Sequence, residues 1–301
     1  MTSDLRKRLD WGAFAPLRLR ARAAAEGAWS GAHRSVRKGS GVEFAGHRAY
    51  VHGDDLRFID RHALMRHGAL MLREFETETD RSVYLVIDAS ASMGFRGGRA
   101  PGAKLAFSCV LAAALAWIAI RGGDRVALDW FGGTRRLALP RASGNEAFER
   151  LLAALEQADA LGAVDARGLE ESLASIERRA ARGALCVVLS DLLDLPPGAP
   201  ARLGALSSKG RGLVVVQTLD PDELELPFDG PVRLQALEGD LVVDTDAPRV
   251  RQGYLQALDE LRKSYRDALV ARAAELIPVS TADDPTETVR RVLAALGSVA
   301  R

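Results

Sequence analysis

From residue 83 onward, runs of apolar residues alternate with segments in which apolar positions recur at helical spacing. Val83–Ile87, Leu185–Leu189 and Leu213–Thr218 are short and largely apolar, which is typical of buried strands. The longer apolar run Lys104–Ile120 predicts a helix. Strands that alternate with helices favour an α/β fold with a mostly parallel, doubly wound sheet. The other predicted strands are Arg125–Phe131, Arg135–Leu139 and Glu275–Ser280, and the other predicted helices include Glu146–Gln157, Leu169–Arg179 and Arg202–Ser207.

The regularity of this pattern divides the chain into two parts. Residues 1–79 show no regular alternation and are predicted to form an N-terminal extension with a short helix, a basic loop and β segments. Residues 80–301 form the predicted α/β domain. A small β-hairpin is expected within this domain near residues 231–246, because Glu238-Gly239 separates two short β-type segments.

Composition narrows the classes of partner. The chain has 301 residues and is 48% hydrophobic, which is enough for a full core. Its 41 Lys and Arg nearly balance its 40 Asp and Glu, so no nucleic-acid partner is expected, and the basic loop at 31–41 is interpreted as solvated. Cys109 and Cys186 lie in apolar runs, which indicates buried thiols in a reducing compartment.

No membrane anchor is expected from the apolar segments. The first ten residues are charged and contain no apolar core, so no secretory signal is predicted. The segment from Leu105 to Ile120 is shorter than the roughly 20 residues that a bilayer span needs. It also begins directly after a polar loop, where a doubly wound fold places a buried helix. We therefore expect a cytoplasmic protein in which this segment is a core helix.

Candidate chemistry lies where the first apolar strand ends. Asp88, Ser90 and Ser92 follow it at alternate positions, and a second strand ends at Asp191. In a sheet of strand order 3-2-1-4-5-6, the two strands are neighbours at the topological switch point, where ligands gather. Oxygen ligands of this kind suit Mg²⁺, or else Ca²⁺ or Mn²⁺. The alternative is that Asp88 and the serines only form a turn or cap a helix.

Two sequence blocks resemble a known family. Asp88-Ala-Ser90-Ala-Ser92-Met-Gly resembles the metal-ion-dependent adhesion site of von Willebrand factor type A domains. Together with Val187-Val188-Leu189-Ser190-Asp191 and an upstream block between Glu43 and Asp60, it resembles the bacterial domain of unknown function 58 family over residues 31 to the C terminus. The resemblance implies a type A fold behind an N-terminal extension. It also implies a non-enzymatic adaptor or co-chaperone of a MoxR-type AAA+ ATPase, which binds a partner carboxylate through the cation.

The sequence departs from the family pattern at two places. Type A domains use a threonine before the third helix as a further metal ligand, whereas this chain has Gly162-Ala163-Val164-Asp165 there. The upstream block commonly has tryptophan where this chain has Arg61. The missing hydroxyl leaves open a second interpretation, in which the same surface is a metal-independent scaffold.

Three other kinds of site are less consistent with the residues. A histidine-carboxylate metal site is conceivable in the segment 47–67, but it lacks the helical spacing of a zincin and an evident third ligand. The glycine-rich run 97–104 differs from a P-loop, because Ala103 precedes Lys104 and Leu105 follows it. A hydrolase is disfavoured because every histidine precedes residue 68 and no Ser-His-Asp pattern is visible.

Overall fold

The computed structural model describes residues 17–29, 43–49, 59–60, 70–76, 81–133, 138–238 and 242–299. The chain divides into two compact units, of which the smaller is residues 33–80. In the smaller unit, strand β1 (Glu43–Ala49) pairs antiparallel with strand β2 (Met71–Glu76). The larger unit contains all of the remaining elements.

The larger unit is built on a six-stranded sheet and a separate hairpin. The strands are β3 (Ser82–Asp88), β4 (Arg125–Phe131), β5 (Leu139–Ala142), β6 (Leu185–Ser190), β7 (Gly212–Leu219), β8 (Pro231–Gln235), β9 (Val242–Asp246) and β10 (Glu275–Ser280). The sheet has the order β10-β7-β6-β3-β4-β5, in which every neighbouring pair is parallel except the edge pair β4 and β5. Numbered within the sheet, this is the order 3-2-1-4-5-6, so the predicted fold class is confirmed and the sheet has the strand order on which the predicted site depends.

Successive side chains of each strand point to opposite faces of the sheet, so the apolar strands present two apolar faces. Helices cover both of these faces. The helices are α1 (Leu17–Trp29), α2 (Lys104–Arg121), α3 (Gly144–Glu156), α4 (Ala166–Arg179), α5 (Ala199–Gly204), α6 (Pro221–Glu225), α7 (Ala247–Val270) and α8 (Pro285–Val299). Val83, Leu85 and Ile87 of β3 belong to one core cluster with α1, α2, α3 and α8. Tyr84 and Val86 belong to a second cluster with α4, α5 and α7.

Helix α2 is the central helix of the first core cluster. Within the described residues it is the one helix whose length and composition could match a membrane span, yet 83% of that span is buried inside the fold. It packs against α1, α3 and α8 and against strands β3, β4 and β7. This position agrees with the predicted core helix.

The structure agrees with one further prediction and modifies others. The hairpin predicted near residues 231–246 is present as β8 and β9. The strand predicted at Arg135–Leu139 lies mostly outside the described residues, and the observed edge strand β5 begins at Leu139. Helix α1 belongs to the larger unit, so the extension predicted for residues 1–79 is shared between both units. Helix α6 was not predicted.

Candidate functional site

The parallel order of β3 and β6 brings the two predicted acidic strand ends together. Ile87 of β3 pairs with Leu189 of β6, so Asp88 and Ser190 end adjacent strands. Ser90 and Ser92 follow β3, and a 3-10 turn covers Ala91–Gly94. We call this side of the sheet, where the parallel strands end, the carboxyl edge. It brings all four predicted site residues into one place: Asp88, Ser90, Ser92 and Asp191.

Asp88 is fully buried, and both of its carboxylate oxygens accept hydrogen bonds. The amide of Ser90 donates to Oδ1 over 2.9 Å, which closes a turn after the strand. The hydroxyl of Ser190 donates to Oδ2 over 2.6 Å and accepts the amide of Leu192 over 2.9 Å. The turn predicted as the alternative role of Asp88 is therefore observed, with the addition of a cross-strand bond to Ser190.

Burial governs the protonation of this carboxyl. It raises the pKa of Asp88 to about 7, with a further contribution from the negative charge of Asp191, and the hydrogen bonds from Ser190 and Ser90 oppose this rise. A buried carboxylate next to a second carboxylate is costly unless a cation compensates their charge. What the site can bind therefore depends on which positively charged groups already lie close to these two carboxyl groups.

The positive charge at this edge comes from Lys104. Its Nζ lies 2.7 Å from Oδ2 of Asp191 and 2.5 Å from Oε1 of Glu223, and both the Lys104 and Asp191 side chains are inaccessible to solvent. Burial disfavours the ammonium, but the charges and hydrogen bonds of the two acids outweigh this effect, so the pKa of Lys104 is raised. Oδ1 of Asp191 accepts the amide of Leu193 over 2.9 Å.

The two serines that follow Asp88 are both buried. Ser90 Oγ and Ser92 Oγ are 3.0 Å apart and hydrogen-bonded to each other. The amide of Ser92 donates to Oε1 of Glu238 over 3.3 Å, so a residue that follows β8 reaches this loop. Burial raises the pKa of Glu238, although the bond from Ser92 opposes the rise. A carboxylate of the chain itself therefore contacts the Asp88–Ser92 loop.

The next loop, residues 95–103, is fastened to helix α6. The amide of Gly97 donates to Asp220 over 2.8 Å and the amide of Gly98 donates to Asp222 over 2.9 Å. Arg99 Nε also bonds Asp222, at 2.6 Å. A Cβ added at Gly97 would collide with both carboxylates, so this close approach requires glycine.

The residues present do not fit a divalent cation. Val164 stands in place of the ligand threonine and is buried. A Cβ placed on Gly132 would lie 2.8 Å from Cγ2 of Val164 and 3.0 Å from the amide nitrogen of Ser90. An apolar methyl thus lies close to the serine loop, while Asp191 is already neutralised by Lys104. Among the described residues, no cluster of three His, Cys, Asp or Glu side chains is arranged for a metal. Such a cation needs several free oxygen ligands.

The other kinds of site find little support in the geometry. Lys104, which made a phosphate loop conceivable, is buried and points to two acids. The histidine-containing segment 47–67 lies largely outside the described residues, so that prediction stays open. The hydroxyls of Ser90 and Ser92 bond each other, the amide of Ser92 donates to Glu238, and the sequence has no histidine after residue 67.

Four residues of the site were missed by sequence reasoning. Ser190 was noted only as the end of a strand, and Glu238 only as part of a hairpin turn. For Lys104 the sequence did contain a signal, since it is a charged residue at the start of a helix that is otherwise almost entirely apolar. Glu223 had another, since Asp220-Pro221-Asp222-Glu223 is a capping-box pattern with proline at the first helical position.

Comparison with known proteins identifies related chains. Uncharacterized proteins of Mycobacterium tuberculosis and Mycobacterium bovis are 26% identical over 288 residues, which is 94% of this chain and 88% of theirs. Among solved structures, the conserved hypothetical protein BatB from Bacteroides thetaiotaomicron is 15% identical, with coverage of 72% of this chain and 98% of that chain and a TM-score of 0.45. A von Willebrand factor type A protein from Catenulispora acidiphila is 14% identical, with coverage of 75% and 44% and a TM-score of 0.43.

The family itself is shown by a match to a family model. The sheet order, with an Asp-x-Ser-x-Ser loop after its first strand, is consistent with the resemblance to von Willebrand factor type A domains. Residues 46–264 match the family described as protein of unknown function DUF58. This match covers well over half of the 301 residues, and the chain therefore belongs to the DUF58 family.

Proposed function

We propose that this protein is a non-enzymatic interaction module that binds a protein partner at the carboxyl edge. The observation that carries the proposal is the adjacency of β3 and β6, which groups the Asp88–Ser92 loop with Asp191 at the switch point of the sheet. This is the position where open α/β sheets bind ligands. Membership of the DUF58 family and the type A-like fold support an interaction role.

An interaction role suits the chemistry of the edge better than catalysis does. A serine nucleophile needs a base within hydrogen-bond reach. In the described residues, Ser90 Oγ bonds Ser92 Oγ, and Lys104, a potential base, is paired with two acids. A partner can instead approach the less buried residues beside the loop, such as Ala91 and Arg96.

The partner that we propose is a MoxR-type AAA+ ATPase, with this protein as its adaptor or co-chaperone in the cytoplasm. This part of the proposal is supported by the family resemblance alone. The bridging Mg²⁺ predicted from the sequence stays a prediction, and the geometry favours the metal-independent alternative. A carboxylate of the partner could take the contact that Glu238 makes with the Ser92 amide.

A binding assay tests this proposal with two variants, one at the carboxyl edge and one at the opposite end of the sheet. The full chain is mixed with the purified MoxR-type ATPase of the same organism, free of nucleotide, in buffer with either Mg²⁺ or EDTA. Ala91→Arg introduces a large charged side chain into the site loop. Ala181→Arg is the matched control, because Ala181 is exposed and lies before β6 at the other end of the strand.

The expected result is binding that is equal in both buffers, at least tenfold weaker for Ala91→Arg and unchanged for Ala181→Arg. Absence of binding by the wild-type protein would refute the ATPase as partner. Equal binding by both variants would refute the carboxyl edge as the surface. Binding that is lost in EDTA and in Asp88→Ala would instead support the bridging cation.

A further inference from the structure

Lys104 is a lysine whose side chain is fully buried. It begins helix α2, and all but three of the residues of that helix are buried. A cation at the first turn of a helix lies at the positive end of the helix dipole, which is unfavourable. An ammonium removed from water is also costly unless it is paired. Both effects oppose lysine here, so its acidic partners must compensate for them.

The surroundings of the ammonium come from three separate segments. Asp191 follows β6, and Glu223 lies in helix α6 after β7. Phe95 lies in the loop after β3, with its ring centroid 5.7 Å from Nζ and its carbonyl accepting the Lys104 amide over 3.2 Å. Three loops of the carboxyl edge therefore converge on one positive charge.

This arrangement can be compared with a metal ion in the site that the sequence resembles. A bound cation compensates acidic residues from different loops and fixes those loops together. Here Asp191, one of the predicted metal ligands, is compensated by a covalently attached cation. Val164 supplies no oxygen at the position of the missing threonine. The pairing with Lys104 reduces the need for an external ion, and the apolar Val164 removes a ligand that such an ion would use.

We propose that the Lys104 ammonium is the permanent cation of the carboxyl edge, where it joins the β3, β6 and β7 loops in place of a divalent metal ion. The inference concerns how the edge is held together. It stands whether or not the partner proposed above is correct, and its test contains no partner.

The first measurement is a metal titration of the wild-type full chain. The protein is stripped with EDTA, dialysed, and titrated with Mg²⁺, Ca²⁺ or Mn²⁺ while the melting temperature and the heat of binding are recorded. We expect no saturable heat and no change in the melting temperature. Saturable binding of any of these ions that is lost in Asp191→Asn would overturn the proposal. This measurement does not depend on whether any variant folds.

The second measurement uses charge-neutral variants. Lys104→Met leaves two buried acids without their cation, and we expect a fall in melting temperature of roughly 10 °C. The triple variant Lys104→Met, Asp191→Asn, Glu223→Gln removes all three charges and is expected to recover a large part of that fall. Lys263→Met, at an exposed position of α7, is the matched control and is expected to melt like the wild type.

Two outcomes of the second measurement would overturn the proposal. One is a Lys104→Met variant that is as stable as Lys263→Met. The other is a triple variant that is no more stable than Lys104→Met, because the loss would then not arise from uncompensated charge. If Lys104→Met does not fold, a folded triple variant supports the proposal, and if neither folds, the metal titration decides.

Discussion

Gly97 offers a sharp test of how tightly the carboxyl edge is packed. A methyl group at this position would overlap the carboxylate oxygens of Asp220 and Asp222, with Cγ of Asp222 only 2.7 Å away. Those carboxylates cannot simply rotate away, because Asp220 also accepts the amide of Asp222 at 2.8 Å, and Asp222 binds Arg99. Gly97→Ala must therefore move the loop away from helix α6.

The magnitude follows from the two effects that this movement combines. Overpacking of a tight contact typically costs about 1 to 3 kcal/mol. The bond from the Gly97 amide to Asp220 would lengthen or break, and a hydrogen bond to a charged group contributes about 1.5 to 3 kcal/mol. Because relaxation of the loop relieves part of the clash, we expect Gly97→Ala to lower the free energy of unfolding by about 2 to 4 kcal/mol.

The neighbouring glycine provides the control. A Cβ at Gly98 would meet no atom within 4 Å, so Gly98→Ala is expected to change the stability by less than about 1 kcal/mol. Urea denaturation followed by circular dichroism measures both variants under the same conditions. Equal midpoints for Gly97→Ala and Gly98→Ala would show that the loop does not approach α6 as described.

Three further predictions concern buried groups and the site loop. Because burial raises the pKa of Asp88 from its ordinary value of 3.8 to about 7, the stability that its carboxyl contributes is fully present below pH 3.8 and is lost as the pH rises through 7. The free energy of unfolding of Asp88→Asn, measured in EDTA, should therefore gain roughly 2 to 3 kcal/mol relative to that of the wild type between pH 5 and pH 8. A difference between the two proteins that does not change with pH would contradict this. Glu238→Gln removes the charge that competes with a partner carboxylate, so partner affinity should rise severalfold, whereas an unchanged or lower affinity would show that Glu238 does not compete. Cys109 and Cys186 are buried, and burial raises the pKa of both thiols, that of Cys186 to about 12, so neither should react with a thiol reagent until the protein is unfolded.

The sheet was predictable because its strands carry a strong local signal. Strands buried on both faces are almost entirely apolar, and β3, β6 and β7 are buried along their whole length. The edge strand β5 was harder to place, since it is short and partly exposed and therefore has no such pattern. The proximity of Asp88 and Asp191 follows from the strand order, so their meeting at one edge of the sheet could be predicted as well.

The chemistry of the site was less predictable, because it depends on contacts between distant segments. Lys104 and Asp191 are 87 residues apart, and Ser92 and Glu238 are 146 residues apart. Sequence spacing does not show which buried acid a lysine will reach. The sequence therefore indicated oxygen ligands for a cation, and only the structure shows that one of them, Asp191, is already paired with a cation belonging to the chain.

Glu223 connects this internal cation to the stability of a helix. Its Oε2 accepts the amide of Asp220 over 2.8 Å and so completes the capping box of α6, while its Oε1 accepts Lys104. A helix of five residues is unstable alone, so α6 depends on such contacts. Loss of the Lys104 charge would also weaken the cap, and α6 would then release the Gly97 loop that it binds. The loops of the carboxyl edge should therefore open together, and amide hydrogen exchange of Gly97 and Asp220 should increase in parallel in Lys104→Met.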